Sequence, residues 1–352
     1  MNNTCSSLLY TVSVIIVNYN TRDYLDNCLR SLFARTKGVS FEVIVIDNAS
    51  SDDSVRMVKD SYPSVTVIES DRNLGFGAAN NRAFDEAKGK YIFFLNPDTV
   101  LLNDAVSILA TYLDTTPSVA LCGGNLYTPD EQPNGSYSLF THSVLREICI
   151  ALNIPYSDKG EHFNTGHSKP VGTICGADMM IKRTVFEKVG RFNEIFFMYY
   201  EEPDLCSRIK KAGFAVHSVP EARIIHFEGG ATHLNTVFDK PSKFFFISSQ
   251  LAYSKLHLKL LYPVLWGIGF WRQRKHEHGS CKRWALSCIP DYIAWIILVC
   301  GIGYHLIFGK NILHSVLENA KDGDLLALYG SSHGIGLYIW MYGKIGRASC
   351  RE

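Results

Sequence analysis

A chain of 352 residues with 20% charged side chains and a formal net charge of +1 is long enough for one large domain or two ordinary ones, each with its own core. The near-neutral balance creates no global field that would select nucleic acid as a partner. Ten cysteines are scattered at Cys5, Cys28, Cys122, Cys149, Cys175, Cys206, Cys281, Cys288, Cys300 and Cys350, none in a C-x-x-C pair. That spacing fits a reducing compartment and free thiols acting as small hydrophobes, and argues against zinc.

The opening MNNTCSSLLY has no basic leader, so no signal peptide is expected, and the apolar run after it already reads as a strand. VSVIIV (12–17) is the continuous β-branched run of a strand covered on both faces. Tyr24, Leu25, Cys28, Leu29, Leu32 and Phe33 then recur at helical spacing, with Thr21 or Asp23 available as N-cap. FEVIVI (41–46), VTVI (65–68) and YIFFL (91–95) predict three more strands, and helices are expected near 52–60, 76–88 and 103–113. The alternation predicts an α/β fold, a mainly parallel sheet flanked by helices. In such sheets ligands bind beyond the carboxyl ends of the strands. Three strands end there in polar residues: Asn18 and Asn20, Asp47 and Asn48, Asn96 and Asp98. Asn-Pro-Asp is ordinary turn chemistry, but three polar ends on one edge suggest a site.

The stretch 125–170 is rich in Gly, Pro, Ser and Asn and reads as long, mobile loops with short elements. Farther on, YYEEPDLCSRIKKAG gathers Glu201, Glu202 and Asp204 at the opening of a predicted helix. Pro203 suits its first position, Leu205, Ile209 and Ala212 form its buried stripe, and Gly213 can end it. The helix dipole alone favours acids at such a place, so a structural and a catalytic role are both open. From about residue 245 the composition shifts. LAYSKLHLKLLYPVLWGIGFW and YIAWIILVCGIGYHLIF are apolar, and the RQRKHEHGSCKR between them is basic. The second run is about seventeen residues, at the lower edge of what spans a bilayer. Its aromatic and basic flanks favour an interfacial position on anionic lipid over a buried helical hairpin.

Taken in order, VSVIIVNYN, VIDNASSDDS, DRNLGFGAANNRAF, FFLNPDT, GADMMIKRTVFEKVGRFNEIFFMYYEEPDLCSRIKKAGF and IIHFEGGAT resemble the motifs of family 2 glycosyltransferases. More narrowly, they resemble the rhamnosyltransferase-like branch of bacterial surface-polysaccharide (O-antigen) synthesis. The resemblance covers about residues 10 to 235, and the ordered set is far more specific than any single motif. It implies the GT-A fold, a Rossmann-like α/β architecture, with a nucleotide-diphospho-sugar donor, Mg²⁺ or Mn²⁺, and inversion at the anomeric carbon. Such chemistry needs two acidic loci, one for the cation on the diphosphate and one to take the proton of the incoming hydroxyl from the opposite face.

Carried over by position, the resemblance makes Asp98 the metal-binding aspartate of a D-x-D-like motif whose first position is Asn96. His226 matches the histidine that completes the metal site, and Asp47 the acid that recognises the pyrimidine of the donor. That acid could instead cap the helix after it. Asn73, Gly75 and Asn80 match the donor-binding loop and helix start, and Asn18 and Asn20 lie on the same donor side. Where the family has Glu-Asp-x-Asp, this chain has Glu201-Glu202-Pro203-Asp204, with Glu202 at the position of the base and Glu201 or Asp204 able to share the role. Residues 1–240 are then expected to form the GT-A domain, with a donor half at about 10–125 and an acceptor half at about 126–240. Residues 241–352 would form a helical, membrane-associating region. The expected enzyme is cytoplasmic, peripheral to the inner face of the membrane, and acts on a saccharide or lipid-linked saccharide acceptor. Two rivals come from other classes. A catalytically silent saccharide-binding or assembly protein would explain Glu202 and Asn96. An NAD(P)-dependent dehydrogenase would explain GFGAAN after a strand, although Asn80 stands where the third glycine belongs.

Overall fold

The strand that begins at Tyr10 alternates its side chains between two dry faces, and this sets the architecture. A computed structural model of the chain describes residues 10–139 and 162–227, together with Ser249 and Tyr253. The apolar and basic segments expected near the membrane, and residues 140–161 of the polar middle stretch, lie outside the described residues. In chain order the elements are β1 (Tyr10–Asn18), α1 (Arg22–Arg35), β2 (Phe41–Asp47), α2 (Ser54–Ser61), β3 (Thr66–Glu69), α3 (Phe76–Phe84) and β4 (Gly89–Leu95). They continue with β5 (Thr99–Leu101), α4 (Ala105–Thr115), β6 (Val119–Tyr127), β7 (Tyr137–Ser138), β8 (Lys169–Pro170) and β9 (Thr173–Ile174). The last are β10 (Asp178–Lys182), α5 (Arg183–Lys188), α6 (Glu201–Lys211) and β11 (Ala215–His226).

The main sheet runs β3-β2-β1-β4-β10-β6-β11-β5, with β8 paired to β11. Strands β3, β2, β1 and β4 are parallel neighbours, as are β6 and β11. Strand β10 is antiparallel to both β4 and β6, and β5 and β8 run antiparallel to β11, so the sheet is mixed rather than mainly parallel. Reversal of β10 brings its first residue to the edge where the parallel strands end: Asp178 pairs with Leu95, the last residue of β4.

Both faces are covered. Val12, Val14 and Ile16 of β1 pack with α1, α2 and α4, while Ile15 points to the other side and packs with α3, α5 and α6. All four side chains are fully buried, each contributing on the order of 2 kcal/mol in transfer terms. Helix α3 stops at Phe84, four residues before the expected end at 88, and the chain turns directly into β4. Gly89 there donates its N–H to Ser13 Oγ, and a side chain at that position would strike the backbone of Ser13.

Candidate active site

Strand β4 delivers Asn96-Pro97-Asp98 to the carboxyl edge, and the turn is tied down on three sides. Asn96 N–H donates to Ala177 O (3.0 Å). Thr99 Oγ1 donates to Asn96 O (2.7 Å), and Cys28 Sγ lies 3.6 Å from the same carbonyl. Burial pushes the Cys28 thiol up to about 12, so it serves as a neutral group under the turn. Asp98 itself is buried. Strand β11 runs antiparallel to β5, which sets His226 opposite Thr99, and Phe227 N–H donates to Asp98 O (3.0 Å). His226 Nε2 thereby stands 3.4 Å from Asp98 Oδ1.

His226 Nδ1 is buried without a hydrogen-bond partner, while the nitrogen that faces Asp98 is Nε2, the atom through which a cation shared with Asp98 would be held. Adjacent ligands around an octahedral Mg²⁺ sit about 3 Å apart, and one carboxylate plus diphosphate oxygens and water is a usual set for that ion. Imidazole suits the softer Mn²⁺ as well. Among the described residues no cluster of three or more His, Cys, Asp or Glu forms a complete cage. Asp98 and His226 thus offer one oxygen and one nitrogen donor side by side, a partial ligand set.

The neighbouring strand ends form a hydrogen-bonded rim. Asn18 Nδ2 donates to Asp47 Oδ1 (2.8 Å), and Ser50 N–H donates to Asp47 Oδ2 (2.8 Å), so Asp47 organises the turn after β2. The helix behind that turn is served by Asp52, which accepts from Ser54 N–H. Asn20, at φ 55°, accepts from Ser51 N–H (2.7 Å). Thr21 is the N-cap residue of α1, but its hydroxyl makes no cap hydrogen bond and donates instead to Asn18 Oδ1 (2.6 Å).

In the next loop Asn73 Oδ1 accepts from Gly75 N–H (2.9 Å), and Asn48 Nδ2 donates to Gly75 O (3.1 Å). Gly75 has φ +82°, and an added Cβ would lie 2.2 Å from Phe197 O. Only glycine fits that turn. Asn80 spends its amide on Phe76 O, one turn back in its own helix. It is the next residue, Asn81, that reaches across, donating to Phe192 O and Glu194 Oε1 and accepting from Phe192 N–H.

The second acidic locus opens α6. The helix starts at Glu201, with Tyr200 as its N-cap, so Pro203 occupies the third position rather than the first. No N–H is lost there, because the first-turn donors lack helical partners anyway. Gly213 at φ +87° ends the helix, its N–H donating to Lys210 O while Phe214 N–H donates to Ile209 O, a Schellman closure.

The three acids have different surroundings. Asp204 is buried in an ion pair with Arg208, whose Nε and Nη2 both donate to Oδ2 (2.8 and 2.6 Å). Glu201 is buried with Oε2 unpartnered, and burial, then the charge of Glu202, holds its carboxyl well above the usual range. Glu202 keeps partial exposure, its carboxyl raised by desolvation and steadied by N–H groups including that of Gly176. A Cβ on Gly176 would sit 2.3 Å from Glu202 Oε1. The short stretch Gly176–Ala177 thus touches Glu202 on one side and the turn carrying Asp98 on the other.

The sequence model of glycosyl transferase family 2 matches residues 13–190, just over half of the chain. The protein is a family 2 glycosyltransferase. Its similar relatives include the low-salt glycan biosynthesis hexosyltransferase Agl10 of Haloferax volcanii, 29% identical over 64% of this chain and 71% of that one. Rhamnosyltransferase WbbL of Escherichia coli is 29% identical over 64% and 86%. The N-acetylglucosaminyl-diphospho-decaprenol L-rhamnosyltransferase of Mycobacterium tuberculosis is 27% identical over 62% and 76%.

In this glycosyltransferase the sequence anticipated Asp98 and His226 as neighbours, and they are. It did not single out Gly176, Asp178 or Asn81, although all three lie inside motifs that carry the family resemblance. The signal available for Gly176 was a glycine just before a strand, which often marks close approach of backbone to another group.

Proposed function

We propose that the protein is an inverting glycosyltransferase that moves a sugar, rhamnose by resemblance, from a nucleotide-diphospho donor to a lipid-linked saccharide. The observation that carries this reading is a bridge of short contacts: Asn96 N–H on Ala177 O, and Gly176 against Glu202, bring the Asp98–His226 pair and the half-buried Glu202 to one edge. Asp98 and His226 would hold Mg²⁺ or Mn²⁺, which when bound neutralises charge on the departing diphosphate. Asn18, Asn20, Asp47, Asn73, Gly75, Asn80 and Asn96 form the donor side. Each Asp47 oxygen accepts one protein hydrogen bond, and a carboxylate with about four lone-pair sites keeps capacity for an N–H of the pyrimidine.

Glu202 is the base. It takes the proton of the acceptor hydroxyl as that oxygen bonds to the anomeric carbon, and the bond to the diphosphate breaks on the opposite face, inverting the centre. A carboxyl raised toward the working pH is a better proton acceptor in the transition state than an ordinary one. Glu201 is too enclosed for that role, and Asp204 is occupied by Arg208. The domain division completes the reading. Residues 1–240 carry the chemistry, and residues 241–352 keep the enzyme on the cytosolic face of a membrane, near an acceptor like the polyprenyl-linked N-acetylglucosamine named for the mycobacterial relative.

The test is a panel of nucleotide-sugars, dTDP-rhamnose among them, incubated with Mn²⁺ and an N-acetylglucosaminyl-diphospho-lipid, with released nucleoside diphosphate read by mass spectrometry. One donor should turn over, and Asp98→Ala and Glu202→Gln should each lower the rate by about 100-fold or more. Tight binding of a donor with no turnover would favour the silent saccharide-binding protein instead.

A further inference from the structure

The residues that lead into α6 have an unfavourable backbone. Tyr199 and Tyr200 have φ of 70° and 72°, a left-handed conformation that costs energy for any residue with a Cβ and persists only where neighbours enforce it. Backbone hydrogen bonds enforce it. Phe76 N–H donates to Phe197 O (2.8 Å), and Asp204 N–H donates to Tyr200 O (3.1 Å). The backbone N–H of Tyr199 supports the Glu201 carboxyl.

Two further contacts come from far along the chain. Ser249 Oγ donates to Met198 O (2.7 Å), and the Tyr253 ring packs on Tyr200 with centroids 5.5 Å apart. Ser249 and Tyr253 are helical, four residues apart, and 3% and 2% exposed. Both side chains meet the strained turn.

We propose that Ser249 and Tyr253 are positioning residues for Glu202: they clamp Met198–Tyr200 in the left-handed turn that aims the start of α6 at the acceptor. The inference rests on Glu202 being the base. Donor loop and base helix share this turn, since Phe197 O holds the start of α3 while Met198 O and the Tyr200 ring are held by Ser249 and Tyr253. The clamp therefore fixes the base relative to a donor already bound, without touching the donor.

The experiment uses the full chain and three variants, Ser249→Ala, Tyr253→Ala and Tyr253→Phe, with two measurements. Hydrogen exchange of the amides at 199–204 should quicken in both alanine variants, while the amides of β1 and β2 exchange as before. With dTDP-rhamnose, Mn²⁺ and the N-acetylglucosaminyl-diphospho-lipid, kcat should fall about 10- to 100-fold in Ser249→Ala while the donor KM stays within about twofold, as expected for a misaimed base. Tyr253→Phe, which keeps the ring on Tyr200, should lose less kcat than Tyr253→Ala. Unchanged exchange at 199–204 in Ser249→Ala overturns the clamp, and so does a loss spread equally over kcat, KM and melting temperature. Glu202→Gln run alongside separates the two ideas: full activity there defeats the base assignment, whereas the exchange data still decide whether the clamp exists.

Discussion

Neighbouring acids of the same type do different work here because their partners differ. Asp204 is neutralised by Arg208, Glu201 is sealed in, and the half-buried Glu202 rests on the Gly176 N–H. Gly176 is the position where this can be tested most directly. The atom an added methyl would meet is the end of the Glu202 side chain, not backbone. A flexible side chain can move, so the fold should tolerate Gly176→Ala while Glu202, the proposed base, is pushed from its seat. We expect kcat for transfer to fall by about 10- to 100-fold, the scale of ångström misplacement, with little change in melting temperature. A variant that unfolds, or one with native kcat, would contradict the role assigned to this contact.

At the scale of elements, β10 is the informative strand. Its register on β6, Met180 with Cys122 and Ile181 with Leu121, brings Asp178 opposite Gly124. There the side chain takes over from the backbone: Gly124 N–H donates to Asp178 Oδ2 (2.6 Å), while Oδ1 is buried without a partner. The side chain of Asp178 thus occupies the gap where β10 leaves β6 and the chain before it runs past Asn96 and Glu202. Burial holds this carboxyl well above the ordinary aspartate range.

The sign of the pH effect follows. Below the unfolded value of about 4 both states are protonated and the burial costs nothing in charge. As pH rises from the unfolded value toward the higher folded one, the unfolded state ionises while the folded state stays protonated, and stability is lost until the folded carboxyl ionises too. Asp178→Asn keeps an acceptor for Gly124 and cannot ionise. Its melting temperature relative to the unmodified protein should therefore rise between about pH 5 and pH 8. Glu201 shifts the same way in both proteins and cancels from that difference. A gap independent of pH would mean that Asp178 is charged in the fold.

At the scale of the molecule, the catalytic sheet alone does not account for the composition beyond residue 245. The basic run at 272–283 lies between two apolar, aromatic-flanked segments, and each Lys or Arg near an anionic surface contributes on the order of 1 kcal/mol, screened by salt. The full chain should co-sediment with vesicles containing phosphatidylglycerol and be released as salt is raised. Replacing Arg272, Arg274, Lys275, Lys282 and Arg283 with glutamine should weaken that binding by about 100-fold or more at low salt, with no change on neutral vesicles. Equal binding of both proteins would remove the electrostatic part of the membrane assignment.

The linear sequence was sufficient for everything that depends on local period and short-range chemistry. Apolar runs of β-branched and aromatic residues gave β1, β2 and β4 within two residues of their ends, and helical spacing gave α1 and α4. The ordered polar strand ends gave the edge on which Asp98 and His226 meet. Family membership was legible for the same reason, since its motifs are those strand ends and turns. Tertiary structure alone decided which strand pairs with which. No local pattern says that β10 inserts in reverse between β4 and β6, because DMMIK would be equally buried in either direction. That one pairing brings Gly176 and Ala177 beside Asn96 and Glu202, residues separated by long stretches of chain. It was likewise packing that gave Asp204 to Arg208, let Asn81 rather than Asn80 reach across, and set Ser249 against Met198. Such choices depend on which groups remain unsatisfied once the sheet has closed, and a polar group's partner is fixed only when burial has removed water as the alternative.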